Sequence, residues 1–100
     1  MNNQERLEEL IEELYCFLRD EGFNEESKGL KQALFHLKNG NLPLAEEEIR
    51  SASISGGAGS VFDIGFREKA KREYKDQLLD EIYNILGIKA YKKIPRWRIW

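Results

Sequence analysis

The residues that most resemble a chemical motif form a glycine-rich loop in the middle of the chain. Three of four consecutive positions there are glycine, which indicates backbone that needs positive φ or close approach to a neighbour: Gly56, Gly57 and Gly59. A nucleotide phosphate loop also requires a lysine and a hydroxyl residue directly after its last glycine. Here Ser60 follows Gly59 without any lysine, so the loop does not predict nucleotide binding.

Ser60 and Asp63 favour a structural interpretation of the same loop. They have the S-x-x-D spacing of a capping-box variant, in which the hydroxyl accepts a hydrogen bond from a backbone N–H of the first helical turn. We therefore predict that Ser60 caps the last helix, while the glycines let the chain turn into it. Binding of an anion at that helix start is the alternative.

Neither histidine nor cysteine occurs in a catalytic or metal-binding pattern. His36 and Cys16 are the only residues of their types and lie twenty positions apart. A structural zinc site needs four ligands, and a nucleophile needs a neighbouring base, so this pair predicts neither. The sequence therefore predicts no metal, no cofactor and no enzymatic activity.

Acidic side chains are the most conspicuous feature of the first helical segment. At about 100° per residue they fall within an arc of about 140° opposite a leucine stripe. This set comprises Glu5, Glu8, Glu9, Glu12 and Glu13, and a second acidic run comprises Glu46, Glu47 and Glu48. Two interpretations stay open: a solvated surface that provides solubility, or a docking face for a basic protein partner.

The last thirteen residues combine basic and aromatic side chains. The basic ones are Lys89, Lys92, Lys93, Arg96 and Arg98, and they alternate with Tyr91, Trp97 and Trp100. Phosphate contacts plus base stacking would make residues 88–100 a nucleic-acid-binding arm. Alternatively, Trp97 and Trp100 pack on the helical core, or form a contact between two copies of the chain.

The elements that position these residues are four amphipathic helices. Apolar residues recur at the helical period and predict helices over 4–21, 25–38, 42–53 and 61–86. Gly22, Gly40 and Gly87 stand where the first, second and fourth stripes stop, as expected for left-handed residues that end helices. The fourth stripe is predicted to bury Ala70, Tyr74, Leu78, Ile82, Ile85 and Leu86. The predicted fold is an all-α, four-helix bundle-like domain with an extended C-terminal arm.

Composition is consistent with one domain spanning residues 1–100. Hydrophobic residues make up 41% of the 100 positions, which suffices for a single core. The chain has no apolar run long enough for a transmembrane helix and no signal-like beginning, and its single cysteine fits a reducing cytoplasm. The net charge of −2 divides into −6 over residues 1–50 and +4 over residues 51–100, a polarity that bears on the choice of partner.

The loop also carries a family resemblance. Residues 56–63 read Gly-Gly-Ala-Gly-Ser-Val-Phe-Asp, and with helices on both sides this is similar to the Gly-Gly-x-Gly-Ser-x-x-Asp signature of a family of small uncharacterised bacterial helical domains. Proteins of this type include immunity proteins of toxin–immunity pairs, among them contact-dependent growth inhibition systems. The resemblance implies a cytoplasmic protein that occludes a toxin, and it implies no catalytic residues. Nucleic-acid binding through the C-terminal arm is the alternative function.

Overall fold

The computed structural model describes residues 3–51, 54, 60–61 and 64–87. Four α-helices account for most of this part: α1 (Asn3–Asp20), α2 (Asn24–Lys38), α3 (Leu42–Arg50) and α4 (Lys69–Leu86). No strand occurs within these ranges, so the predicted all-α class is confirmed. The observed α1 and α2 begin and end within one residue of the predicted bounds.

The leucine stripe of α1 forms the centre of the core. All five apolar residues of the predicted stripe are buried: Leu7, Leu10, Ile11, Leu14 and Leu18. Each such side chain contributes about 1.5–3 kcal/mol when it leaves water. Helix α1 contacts both α2 and α4, while α2 also packs against α3.

The α1–α2 connection reverses the chain in three residues. Gly22 adopts φ +90°, a conformation that costs a residue with a Cβ atom appreciable steric energy. The turn lets Phe23 N donate to Leu18 O at 2.9 Å, which satisfies a carbonyl at the end of α1. At the far end of the pair, Gln4 Nε2 donates to Leu37 O at 3.4 Å. The two helices are therefore antiparallel.

Three side-chain contacts fix α4 antiparallel to α1 along its whole length. They join Lys71 to Glu21 (2.6 Å), Tyr74 to Glu13 (2.6 Å) and Arg6 to Glu81 (2.8 Å). The hydrogen bond from Lys71 to Glu21 raises the pKa of the lysine. Consequently, the end of α4 lies beside the beginning of α1.

The prediction that the fourth helix begins at residue 61 was wrong. The helix begins at Lys69, with Glu68 in extended backbone as its N-cap residue. Ile64 and Phe66 precede it in non-helical conformation and are both buried, while Gly65 between them is exposed. Burial of both apolar side chains holds this segment against the core, and glycine disfavours a helix there by about 1 kcal/mol.

Side chains of α4 replace helical hydrogen bonds in this segment. Lys75 Nζ donates to Ile64 O at 2.7 Å, and Arg72 Nη1 donates to Phe66 O at 3.0 Å. Ser60 is buried and lies well before Glu68, so the prediction that Ser60 caps this helix was wrong as well. Asp63 and the three loop glycines, Gly56, Gly57 and Gly59, lie outside the described residues.

Two further sequence predictions are corrected by the structure. Helix α3 ends at Arg50, because Ser51 takes extended backbone with ψ 162°, rather than continuing to residue 53. In α4, the predicted core residues Ala70 and Tyr74 are exposed. The buried face is rotated and comprises Lys75, Leu78, Leu79, Ile82 and Tyr83.

Candidate partner-binding surface

The outer face of α1 carries the five glutamates singled out in the sequence. We call Glu5, Glu8, Glu9, Glu12 and Glu13 the acidic face. Glu8 is half-buried and the other four are exposed, on the side of the helix opposite the buried leucine stripe. From Glu5 to Glu13 the face extends roughly 12 Å along the helix axis at 1.5 Å per residue.

Arg6 lies at the edge of this face and connects it to α4. Its Nη1 is 3.5 Å from Glu9 Oε2, and its Nη2 donates to Glu81 Oε2 at 2.8 Å. All three side chains are substantially exposed, and surface ion pairs of this kind contribute only about 0–1 kcal/mol. The arginine therefore offsets part of the negative charge at Glu9 without burying the carboxylate.

Glu13 occupies the boundary between α1 and α4. Tyr74 donates its hydroxyl hydrogen to Glu13 Oε1 at 2.6 Å. The Tyr74 ring meets the ring of Phe17 edge-on, with centroids 4.8 Å apart. The hydrogen bond to Glu13 raises the pKa of Tyr74 to about 12, and burial adds to the shift. One carboxylate of the acidic face is thus committed to holding α4.

The Tyr74–Glu13 hydrogen bond predicts a late-titrating tyrosine. Replacing Glu13 by glutamine is expected to lower the pKa of Tyr74 from about 12 toward its ordinary value of 10.0, because the amide still accepts the hydrogen bond but has no charge to oppose tyrosinate. Because the folded state favours the protonated phenol, the stabilisation is present below pH 10 and is lost as pH rises toward 12. Tyrosinate absorbance measured against pH, minus the same curve for Tyr74→Phe, gives the pKa directly.

Glu12→Gln is the matched control for this titration, since Glu12 lies on the same helix and its side chain forms no hydrogen bond with Tyr74. It should leave the late transition in place. Equal titration curves for Glu13→Gln and the unmodified chain would contradict the assignment of the shift to Glu13.

Glu8 and Glu12 are two carboxylates of the acidic face whose charge no neighbouring cation among the described residues offsets. Neither side chain forms a hydrogen bond or an ion pair within the described part of the chain. Helix α1 as a whole contains six acidic and two basic side chains, a net charge of −4. Carboxylates this close together repel one another when no cation separates them, so the exposed side of α1 carries a concentrated negative charge.

The second acidic group lies on a different helix. On α3, Glu46 accepts a hydrogen bond from Arg50 Nε at 3.3 Å, Glu47 is exposed and Glu48 is half-buried. No hydrogen bond or ion pair among the described residues joins these glutamates to the acidic face of α1. The two predicted acidic sets are therefore separate surfaces, with α2 packed between their helices.

Sequence reasoning did not identify Lys75 as a buried residue. Its side chain is only 3% exposed, and besides its bond to Ile64 O its Nζ lies 3.4 Å from Asp76 Oδ1. The available signal was its position: Lys75, Leu78, Leu79 and Ile82 follow the i, i+3, i+4, i+7 spacing of one helix face. This lysine anchors the segment before α4 rather than facing a partner.

His36 and Cys16, the other residues considered for catalysis or metal binding, lie on different helices. His36 is half-buried with its ring against that of Phe35 (5.7 Å between centroids), and Cys16 is a half-buried free thiol. Within the described ranges, no three His, Cys, Asp or Glu side chains are grouped so as to hold a metal ion. The basic arm, with Lys92, Lys93, Arg96 and Arg98, lies outside the described residues.

Comparison with protein-family models, with curated proteins and with solved structures gives no match for this chain. None of the helices in the described part has the length and apolar character needed to span a membrane.

Proposed function

We propose that this protein acts by binding, as an immunity protein that occludes a basic bacterial toxin domain, with the acidic face of α1 as its docking surface. The single observation that carries the proposal is the exposed row of carboxylates on α1, of which Glu8 and Glu12 have no ion-pair partner among the described residues. The resemblance of residues 56–63 to immunity-type helical domains agrees with this function.

The support beneath this face suits it to binding without rearrangement. The opposite side of α1 is entirely buried, between α2 and α4, so the backbone that carries the glutamates is already fixed. A preorganised surface loses less conformational entropy on association than a flexible one. The carboxylates can therefore contribute to association mainly by electrostatic attraction of a cationic partner.

A nuclease is the toxin class whose surface matches this face. Enzymes that bind a nucleic-acid backbone present Lys and Arg to phosphates, and a row of carboxylates offers them a similar line of negative charge. Complementary fields of this kind accelerate association by about 10–1,000-fold at low salt. By covering the cationic surface, the immunity protein would exclude the nucleic acid.

Charge reversal on the acidic face tests the proposal. The partner to test is the C-terminal domain of any secreted protein whose reading frame adjoins that of this chain. The double substitution Glu9→Lys with Glu12→Lys is expected to reduce the association rate constant by at least about 10-fold and to flatten its dependence on salt, since steering is electrostatic. Stopped-flow or surface-based kinetics over a range of ionic strength give both quantities.

A matched control uses the outer face of α4. Glu73→Lys with Asp80→Lys changes the net charge by the same amount at two exposed positions, so it should slow association much less. Equal effects of the two double variants would mean that only net charge matters. A wild-type association rate for Glu9→Lys with Glu12→Lys would reject the α1 face, and toxicity that persists when this protein is co-expressed would reject the immunity function.

The same kinetic measurement can test α3, which carries the second acidic surface. Glu47 is exposed, so Glu47→Lys changes charge there without breaking the Glu46–Arg50 pair. A larger loss of association rate for Glu47→Lys than for Glu12→Lys would move the docking surface from α1 to α3.

A further inference from the structure

The outward side of α2 carries basic residues around one exposed aromatic ring. Residues three or four positions apart share one face of a helix. Four such positions on α2 are all exposed, opposite the buried Leu30, Ala33 and Leu37. We call them the basic stripe: Lys28, Lys31, Phe35 and Lys38.

Phe35 is the apolar member of this stripe. It is 60% exposed, the largest fraction among the large apolar side chains of the described part. Its ring meets that of His36 edge-on, with centroids 5.7 Å apart. An aromatic side chain can bury roughly 150–250 Å², so a partner that covers the Phe35 ring gains from its burial.

Lys31 and Lys38 leave the charge of the stripe largely uncompensated. Lys28 pairs with Glu25 at 3.0 Å, but the side chains of Lys31 and Lys38 form no ion pair within the described part of the chain. No acidic residue occurs at positions 27–45 of the sequence. The partner that suits this stripe is therefore a row of carboxylates with helical spacing.

The acidic face of α1 is such a row, and it lies beside the basic stripe. Helices α1 and α2 are antiparallel neighbours that bury their apolar sides in one core. The acidic face and the basic stripe each lie opposite that buried side, so both belong to the outer surface of the α1–α2 pair. This surface therefore has one negative half and one positive half.

The register between the two helices is fixed near both ends. Gln4 Nε2 donates to Leu37 O, and Phe23 N donates to Leu18 O, so the residues of each pair lie level along the helix direction. Both helices rise by about 1.5 Å per residue between these points. The carboxylates are consequently level with the stripe: Glu12 with residues 28–31, and Glu5 and Glu8 with residues 33–36.

We propose that two copies of this chain pair face to face, with the basic stripe of each on the acidic face of the other. A twofold axis parallel to the helices sets α1 of one copy against α2 of the other and keeps every residue at its level. Both contacts then join opposite charges. A twofold axis perpendicular to the helices would set α1 against α1, where carboxylates repel one another. Charge thus selects one arrangement, and its symmetry closes the assembly at two copies.

The contact has the size of a weak, reversible interface. Helix α1 is roughly 27 Å long, and two helices packed about 10 Å apart present a surface roughly 20 Å wide. Two copies together would bury on the order of 1,000 Å², which is near the lower limit for a specific interface. We therefore expect pairing at high protein concentration, weakened by salt because the attraction is electrostatic.

Pairing would also regulate the docking surface proposed above. The acidic face of each copy is covered in the pair, so only the single chain can present it to a toxin. The pairing itself depends on α1 and α2 alone and requires no toxin. Its failure and the failure of the immunity function are therefore distinguishable.

Sedimentation of the full chain over a range of concentrations tests the pairing. The mass of the unmodified chain is expected to rise reversibly toward twice that of one chain and to fall again when salt is added. Lys31→Glu with Lys38→Glu should abolish the rise, and so should Glu8→Lys with Glu12→Lys. An equimolar mixture of these two double variants should restore the pair, because each contact again joins opposite charges.

Matched controls separate this contact from net charge and from folding. Glu73→Lys with Asp80→Lys makes the same change in net charge at exposed positions of α4, and this variant should pair as the unmodified chain does. Phe35→Ala should weaken pairing several-fold without a change in charge. Leu44→Ala should not, since Leu44 is 41% exposed but lies on α3. Circular dichroism verifies that each variant remains helical.

Three results would overturn the pairing. The first is a single-chain mass for the unmodified protein at about 1 mM, where a dissociation constant of that size would already leave half of the chains paired. The second is a pair that neither double charge substitution disturbs, because its contact would lie elsewhere. The third is a chain that remains single but binds a single-stranded oligonucleotide, with binding lost in Lys31→Glu with Lys38→Glu. That result would assign the basic stripe to nucleic acid.

Discussion

Replacing Phe66 by alanine is expected to lower the free energy of unfolding by about 3–5 kcal/mol, as is typical of a buried phenylalanine. Phe66 is 7% exposed and lies in the non-helical segment before α4. Its ring centroid is 5.3 Å from that of Phe17 and 5.2 Å from that of Phe23. The substitution removes both aromatic contacts, each worth about 0.5–1.5 kcal/mol beyond buried area, and leaves a cavity between α1, the α1–α2 turn and the segment before α4.

A loss of about 3–5 kcal/mol is a large part of the free energy of unfolding of a small domain. Domains of this length are stable by about 5–15 kcal/mol, and each kcal/mol lowers the melting temperature by about 4–8 °C. Urea unfolding monitored by circular dichroism gives the change in free energy. Phe35→Ala is the control, because Phe35 is 60% exposed and should cost little. Equal stability of the two variants would contradict the packing of Phe66.

Replacing Lys75 by methionine is expected to cost about 1–3 kcal/mol, since a buried carbonyl loses its hydrogen-bond donor. Methionine preserves most of the apolar stem, so the change isolates the ammonium group. Ile64 O then loses the donor at 2.7 Å, and Asp76 loses the nearby cation. Removing one member of a buried polar contact costs more than the contact itself contributes.

Lys69→Met separates this effect from a general loss of positive charge. Lys69 is 80% exposed and forms only a 3.8 Å pair with Glu73, so its removal should change stability by less than about 0.5 kcal/mol. Besides urea unfolding, tryptic cleavage after Arg67 should be faster in Lys75→Met, because the segment before α4 is released. If cleavage and stability match those of Lys69→Met, Lys75 does not anchor that segment.

The first two helices were predictable because local pattern and tertiary environment agree there. The α1 stripe repeats at the helical period, and every member of it is buried. Gly22 combines a positive φ with the end of that stripe, so both the helix and its turn follow from residue types alone.

The beginning of α4 was not predictable by the same reasoning. The Ser60–Asp63 spacing is typical of a helix start. Long-range contacts instead determine the conformation of the segment before α4. Phe66 packs on rings from α1 and from the α1–α2 turn, and Ile64 O accepts a hydrogen bond from Lys75 eleven residues later. Such contacts have no signature in a sequence window of helical length.

The candidate site was predictable as a charge pattern and not as a set of contacts. Periodicity placed the glutamates opposite the leucines, where the structure has them. It could not indicate that Glu13 accepts a hydrogen bond from Tyr74 or that Arg6 connects Glu9 to α4. These contacts reach α4, more than sixty residues away in the sequence. They decide which carboxylates of the acidic face are hydrogen-bonded or ion-paired within the protein.

The order of the helices also determines how the protein assembles during synthesis. Helices α1, α2 and α3 are consecutive and pair through short turns, so they can associate as soon as they leave the ribosome, at about 5–20 residues per second. The other side of α1 packs on α4, which is synthesised much later. Glu21 and its partner Lys71 are 50 residues apart, and Arg6 and its partner Glu81 are 75 residues apart. A nascent chain therefore exposes one apolar side of α1 until α4 is complete. The apolar surface that a chaperone could bind is largest during this interval.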